Sequence, residues 1–179
     1  MEIIPVDVIA LIEDQVNDNP IVMLRDPQEN RVLPIWIGDA EARNIALALN
    51  NVRPARPLTH HLLMGVLIAI GGKLSRIVID RLKNNTYYAS IFISANDKTH
   101  QIDARPSDAL VLAIEAKVPV FVGKEILRVA GHPNPFSLQQ LAKEQREQQN
   151  IKKMSPDDVD KIQKMLESAR AREQQSSEQ

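Results

Sequence analysis

Two strand-length apolar runs, residues 75–82 and 87–93, are separated only by Lys83-Asn84-Asn85-Thr86. So short a connection cannot carry a crossover, which takes a dozen residues or more, so the two strands must run antiparallel. Asparagine tolerates left-handed backbone, and Asn84-Asn85 predicts a two-residue hairpin loop. With that loop Leu82 faces Tyr87, Val78 faces Ile91 and Ile77 faces Phe92. Asn96-Asp97-Lys98 turns the chain again into a third strand, residues 99–104, whose register the sequence does not fix.

Before this hairpin, residues 6–12, 21–24 and 32–37 read as strands, with Asp26-Pro27-Gln28-Glu29-Asn30 as turn chemistry between the last two. Pro34 donates no backbone hydrogen bond, so the third run is an edge or bulged strand there. Asp39 reads as the cap of a helix to Asn50, with Ala42, Ile45, Ala46 and Leu49 at helical spacing. Thr59 reads as the cap of a second, to Ile70, whose apolar residues fall nearly all round, the pattern of a helix buried on most sides. Pro106 or Ser107 opens a third, to about Lys117. Residues 118–122 make a short buried strand, 126–130 a further short segment, and 131–135 a hinge or linker rich in glycine and proline. The expected fold is α+β, with the three helices packed on a largely antiparallel or mixed sheet.

At Ser137 the character changes. Residues 137–179 hold eight basic and eight acidic residues and many glutamines. Ser155-Pro156-Asp157-Asp158 is a strong helix start. Leu138 and Leu141, then Val159, Ile162, Leu166 and Ala169, mark two amphipathic helices. The expected division is a domain over residues 1–135 and a charged helical tail over 136–179, whose apolar stripe is a candidate for self-association.

Three junctions gather chemistry. In Ile102-Asp103-Ala104-Arg105-Pro106-Ser107-Asp108 a strand delivers Asp103, and a helix begins with Ser107 and Asp108. Two carboxylates on adjoining elements can hold a divalent cation, and Arg105 can grip a phosphate bidentately. On spacing alone the structural account leads: Ser107 or Asp108 caps the helix and Arg105 pairs with Asp103. In Arg53-Pro54-Ala55-Arg56-Pro57-Leu58-Thr59-His60-His61, arginines meet a helix N-terminus and a possible acid or base. Adjacent helical residues project about 100° apart, so these histidines make a poor metal pair and at most one should serve a site. Without a site, this stretch is a surface loop and a capped helix. Trp36-Ile37-Gly38-Asp39-Ala40-Glu41-Ala42-Arg43 is the third, readable as a site or as a helix start with an Asp39–Arg43 pair.

Composition narrows the chemistry. With no cysteine, disulfides, thiolate metal sites and cysteine nucleophiles are excluded, which fits a reducing, cytoplasmic compartment. No signal peptide or membrane-spanning run is read. A net charge of −1 and 3% aromatic residues argue against nucleic acid as partner, since phosphate neutralisation and base stacking are both poorly supplied.

Five segments in order outweigh that objection: Val32-Leu33-Pro34-Ile35-Trp36-Ile37-Gly38, Arg56-Pro57-Leu58-Thr59-His60, Tyr88-Ala89, Asp103-Ala104-Arg105-Pro106-Ser107-Asp108-Ala109 and Pro119-Val120-Phe121-Val122. Over residues 4–130 the chain resembles the bifunctional nuclease family. The resemblance implies an α+β domain, a homodimer, and cleavage of DNA and RNA. Family members usually carry an acid where this chain has His61. If that acid holds a metal, imidazole in its place favours zinc or manganese over magnesium. If it only faces the helix dipole, the exchange costs about 0.5 kcal/mol.

The expectation is therefore a metal-dependent nuclease. Asp103 and Asp108 are the metal ligands and, with His60 as acid or base, the catalytic residues. Arg56, Arg105, Ser107 and Thr59 bind the substrate, the two arginines through its phosphates. The cofactor is a divalent cation, magnesium or manganese, whose charge answers the compositional objection. The matched segments are expected to converge into one polar cleft. The alternative is a non-catalytic binding or regulatory module for an anionic ligand or a protein partner.

Overall fold

The computed structural model describes residues 1–13 and 19–134. The expected tail helices and the apolar stripe of residues 136–179 lie outside the described residues. The compact unit runs Met1–Asn134. It comprises strands β1 (Ile3–Glu13), β2 (Pro20–Asp26), β3 (Arg31–Trp36), β4 (Lys73–Lys83), β5 (Thr86–Ala95), β6 (Lys98–Ala104), β7 (Val120–Gly123) and β8 (His132–Pro133). The helices are α1 (Asp39–Leu49), α2 (Thr59–Ala69), α3 (Pro106–Ala116) and α4 (Lys124–Ala130). One eight-stranded sheet has the order β6-β5-β4-β7-β1-β2-β3-β8. Among the described residues only β4 and β7 pair in parallel, so the sheet is mixed and largely antiparallel, and the fold is α+β as expected. Among the described residues no helix is long and apolar enough to cross a membrane.

The β4–β5 hairpin turns through Asn84 and Asn85, both at positive φ (50° and 58°), as a two-residue loop requires. Leu82 faces Tyr87 as expected, but Val78 faces Ser90 and Ile77 faces Ile91. A bulge between Ile79 and Arg81 shifts the register by one. The extra residue is Asp80, whose carboxylate accepts the Ser90 hydroxyl. The β5–β6 turn repeats the device with Asn96 and Asp97 and sets Asp103 opposite Ser90.

Pro34 pairs with Met23 of β2 on its inner side, while β8 reaches only Arg31 and Val32 of β3. Its missing donor thus faces the open edge, where it costs no ladder bond. The expected linker at residues 131–135 instead supplies β8.

α1 and α3 pack on each other and on the sheet. Ala42, Ala48, Ala109 and Ala113 are buried, and such small side chains let helices approach closely. Leu110 and Ile45 are fully buried between these helices and Ile77, Ile79, Leu24 and Leu33. Truncating either to alanine is expected to cost about 2–5 kcal/mol.

Two expectations about helices change. Asp39 and Thr59 are the first helical residues rather than caps; Gly38 and Leu58 hold the cap positions. The apolar α2 is not buried on most sides. Only His60 and Leu67 are buried, while Leu62, Leu63, Val66 and Ile68, with Ile70 beyond its end, are exposed. Apolar residues all round showed that the helix avoids water, not that this domain covers it.

Candidate active site

The β6–α3 junction is built as the sequence implied, with different partners. Arg105 is the N-cap residue of α3, and no side chain caps the helix there, so Ser107 and Asp108 are first-turn residues. Its guanidinium grips Asp108 bidentately, Nε to Oδ2 at 2.7 Å and an Nη to Oδ1 at 3.1 Å. Its other Nη meets Glu41 Oε1 of α1 at 2.7 Å. The hydrogen bonds to Asp108, then those to Glu41, hold Arg105 firmly charged.

Gly38 makes room for that second contact. A Cβ at position 38 would lie 2.5 Å from a Glu41 carboxylate oxygen. Arg105 lines a cavity of about 570 Å³ with Trp36, Gly38, Glu41, Tyr87 and Ser107. The first and third junctions therefore meet.

Asp103 does not pair with Arg105. It stands 3.5 Å from Arg81 on β4, whose guanidinium also covers the Tyr88 ring at 4.2 Å. It lines a separate groove with Asp80, Arg81, Ser90 and Gln101. Gln101 donates to the Ser90 hydroxyl at 2.9 Å, which in turn donates to Asp80.

The second junction goes elsewhere. His60 is buried at the start of α2, and its ring centroid is 4.1 Å from that of His61. Burial, and then the neighbouring His61, hold the His60 pKa below its ordinary 6.5, against a smaller upward pull from Glu115. His61 Nδ1 accepts the Leu58 backbone N–H at 3.1 Å. Its ring thus does the work of the capping-box acid. That fixes the tautomer: the proton is on Nε2, which faces Glu115 Oε1 of α3 at 3.2 Å.

His61 and Glu115 line a cavity of about 680 Å³ with Arg53, Pro57, Met64 and Lys73. Arg56, in the loop before α2, and Thr59, its first residue, are exposed.

The expected single cleft is thus three places: Arg105 and Asp108 at the start of α3, His60, His61 and Glu115 at its end, and Asp103 in its own groove on β4, β5 and β6. Asp108 and Glu115 are seven residues apart, about 10 Å along the helix. Among the described residues one group of three could hold a metal ion: His60, His61 and Glu115, with ligand atoms within 4.8 Å of one another. Sequence reasoning missed Glu115. Its signal was faint: after Asp108 it is the one acid in an otherwise apolar helix, two turns on along the same face.

Comparison with known proteins agrees with the five-segment resemblance. A family model described as the bifunctional nuclease domain matches residues 22–135. An uncharacterized protein of Mycobacterium tuberculosis is 33% identical over 163 residues, covering 91% of this chain and 93% of that protein. Bifunctional nuclease 1 of Oryza sativa subsp. indica is 24% identical over 118 residues, 64% of this chain and 36% of the plant protein. Bifunctional nuclease 1 of Arabidopsis thaliana is 25% identical over 107 residues, 58% and 33% respectively. The chain spans about a third of the length of these plant relatives.

Proposed function

The chain belongs to the bifunctional nuclease domain family, and on that premise we propose that it is a nuclease that hydrolyses phosphodiester bonds of DNA, RNA or both with a divalent cation, magnesium or manganese. The observation that carries this reading is the Glu41–Arg105–Asp108 cluster. One guanidinium between two carboxylates sums to a charge of −1, which by itself repels a phosphate. A divalent cation beside the carboxylates reverses the sign and frees the guanidinium to take a phosphate oxygen. When bound, the cation also offsets charge developing on the phosphate.

In this reading Asp108 is the ligand on α3, and Asp103, which stands in a separate groove beside Arg81, serves as the second ligand only on leaving that pair. Arg105 holds the scissile phosphate and Arg56 a neighbouring one. Thr59, exposed in the first turn of α2, contacts the substrate near free backbone N–H groups, and Ser107, buried in the first turn of α3, meets it only at the wall of the Arg105 cavity. His60, buried at the other end of α3, is out of direct hydrogen-bond reach of a phosphate on Arg105, so as the acid or base it takes up the proton only through bridging water. A polynucleotide can lie across both ends of α3, about 10 Å apart, where a small substrate could not.

The test is cleavage of labelled single- and double-stranded DNA and RNA by chelator-stripped protein, with magnesium, manganese, zinc or chelator, beside Asp103→Asn and Asp108→Asn. Metal-dependent cutting that each variant loses is expected. Cutting that survives in Asp103→Asn removes Asp103 from the mechanism, and equal cutting by all three proteins moves the chemistry to another site.

The closed ion pairs of Arg105 also favour a second reading, in which the cluster locks α1 to α3 and the domain binds an anionic ligand or protein without turnover. No cation-dependent cleavage of any substrate would decide for it.

The proposed assembly is a homodimer in the cytosol. The exposed apolar side chains Leu62, Leu63, Val66 and Ile70 support it, since such a face needs a partner. Light scattering should find that Val66→Glu halves the mass, and that removal of residues 137–179 leaves it unchanged.

A further inference from the structure

His60, His61 and Glu115 present two imidazoles and a carboxylate with ligand atoms within 4.8 Å of one another. We propose that these three side chains bind a transition-metal ion of the zinc class, independently of any magnesium-type cation at Arg105.

The donor set selects the ion. Imidazole nitrogens favour zinc, iron, nickel or copper, whereas magnesium and calcium demand oxygen ligands. Two histidines and a glutamate are one of the sets that leave a zinc ion an open position. Metal–ligand bonds of about 2.0–2.1 Å place tetrahedral ligand atoms about 3.3 Å apart. His61 Nε2 and Glu115 Oε1 already stand 3.2 Å apart, so the remaining closure falls to His60. Buried His60 and half-buried His61 and Glu115 hold the site in a largely desolvated setting.

One adjustment accompanies binding. The proton that His61 now carries on Nε2 gives way to the ion, and a proton is taken up on Nδ1, with no net release. The Leu58 N–H then loses its acceptor and turns to solvent. Loss of one cap is small beside three metal–ligand bonds.

The open position faces the cavity of about 680 Å³, whose wall carries Arg53 and Lys73, so an anionic oxygen such as that of phosphate is the fitting fourth ligand. While the ion is bound, the His60 lone pair is engaged and does not serve proton transfer.

The experiment requires no cleavage. Chelator-stripped full chain is titrated with zinc by calorimetry, and with cobalt(II) as a visible-absorbing substitute. One equivalent bound, with the absorption of a four-coordinate ion and no displacement by magnesium, is expected. His61→Gln keeps a capping-box side chain without imidazole, and Glu115→Gln keeps the shape without charge. Each should weaken binding more than about tenfold. His100→Gln and His132→Gln, on the remaining histidines, should not. Melting in chelator checks that the variants are folded. Absence of stoichiometric binding, or binding that survives Glu115→Gln and His61→Gln and falls with His100→Gln or His132→Gln, would overturn the site. Inorganic phosphate should shift the cobalt bands, and unshifted bands would overturn the anionic fourth ligand.

Discussion

α3 carries a polar cluster at each end, and the two are held in opposite ways. At its start Arg105, with a side chain 65% exposed, is gripped by two carboxylates at the surface. At its end His61 and Glu115 are each 22% exposed, His60 is buried, and the contacts are part of how α2 begins. Exposed ion pairs contribute roughly 0–1 kcal/mol, because water and salt screen them. The first cluster can therefore exchange its partners for a ligand at little cost to the fold. The second cannot be altered without touching a helix cap. Chemistry that requires release and recapture belongs at the first end, and preorganised holding at the second.

The strongest way to break this comparison is Arg105→Ala. If the first end serves a phosphate, cleavage should fall about a hundredfold, the scale for losing one charge-stabilising donor. Stability should change by no more than about 1 kcal/mol. A loss of stability without loss of cleavage would make this cluster the structural one and reverse the comparison.

At the other end the expected effect is on folding. His61→Ala removes the acceptor of the Leu58 N–H and should cost about 1 kcal/mol in urea unfolding, with unchanged denaturant slope. His61→Gln, able to reach back to the same N–H, should recover most of it. Equal losses in both variants would show that the contact with Glu115, rather than the cap, is what His61 supplies.

The two ends also differed in how far the sequence revealed them. Asp103 to Ala109 is one contiguous stretch, and its strand-to-helix passage could be read from local chemistry alone. The partner of Arg105 could not, because Glu41 reaches it only through the packing of α1 on α3, sixty-four residues apart in the chain. Glu115 needed a still longer inference, the contact of α2 with α3, which no local pattern encodes. The hairpin shows the same limit in small. Its loop was legible in Asn84-Asn85, yet the bulge at Asp80 rests on a bond to Ser90 across the strand pair. For α2, the pattern gave the apolar character faithfully but not what lies against it.

A smaller effect separates the ends by pH. In chelator, the folded pKa of His60 lies below its ordinary 6.5. Between those values the unfolded chain binds more protons than the folded one, so stability rises with pH across that window. Above 6.5 this contribution is complete. It is lost as pH falls through the folded value and declines no further below it. His60→Gln should flatten that slope, and Arg105→Ala should leave it intact. A slope unchanged in His60→Gln would assign the titration to another group.

Gly38→Ala tests the first end most finely. The residue sits at the cap of α1 with φ of −83°, so alanine meets no backbone strain. Its new Cβ would instead fall 2.5 Å from a Glu41 carboxylate oxygen, the tip of a flexible chain that can swing aside. The swing separates Glu41 from Arg105 and leaves Asp108 as its remaining carboxylate partner. Alanine is also a poorer cap than glycine, so the total cost is a few tenths to about 1 kcal/mol. If Glu41 merely locks α1 to α3, that is the whole effect. If Glu41 helps place the cation, cleavage should require more magnesium at half-maximal rate, while the maximal rate at saturating magnesium is kept. An unchanged magnesium requirement would confine Glu41 to the lock and leave Asp108 and Arg105 to act without it.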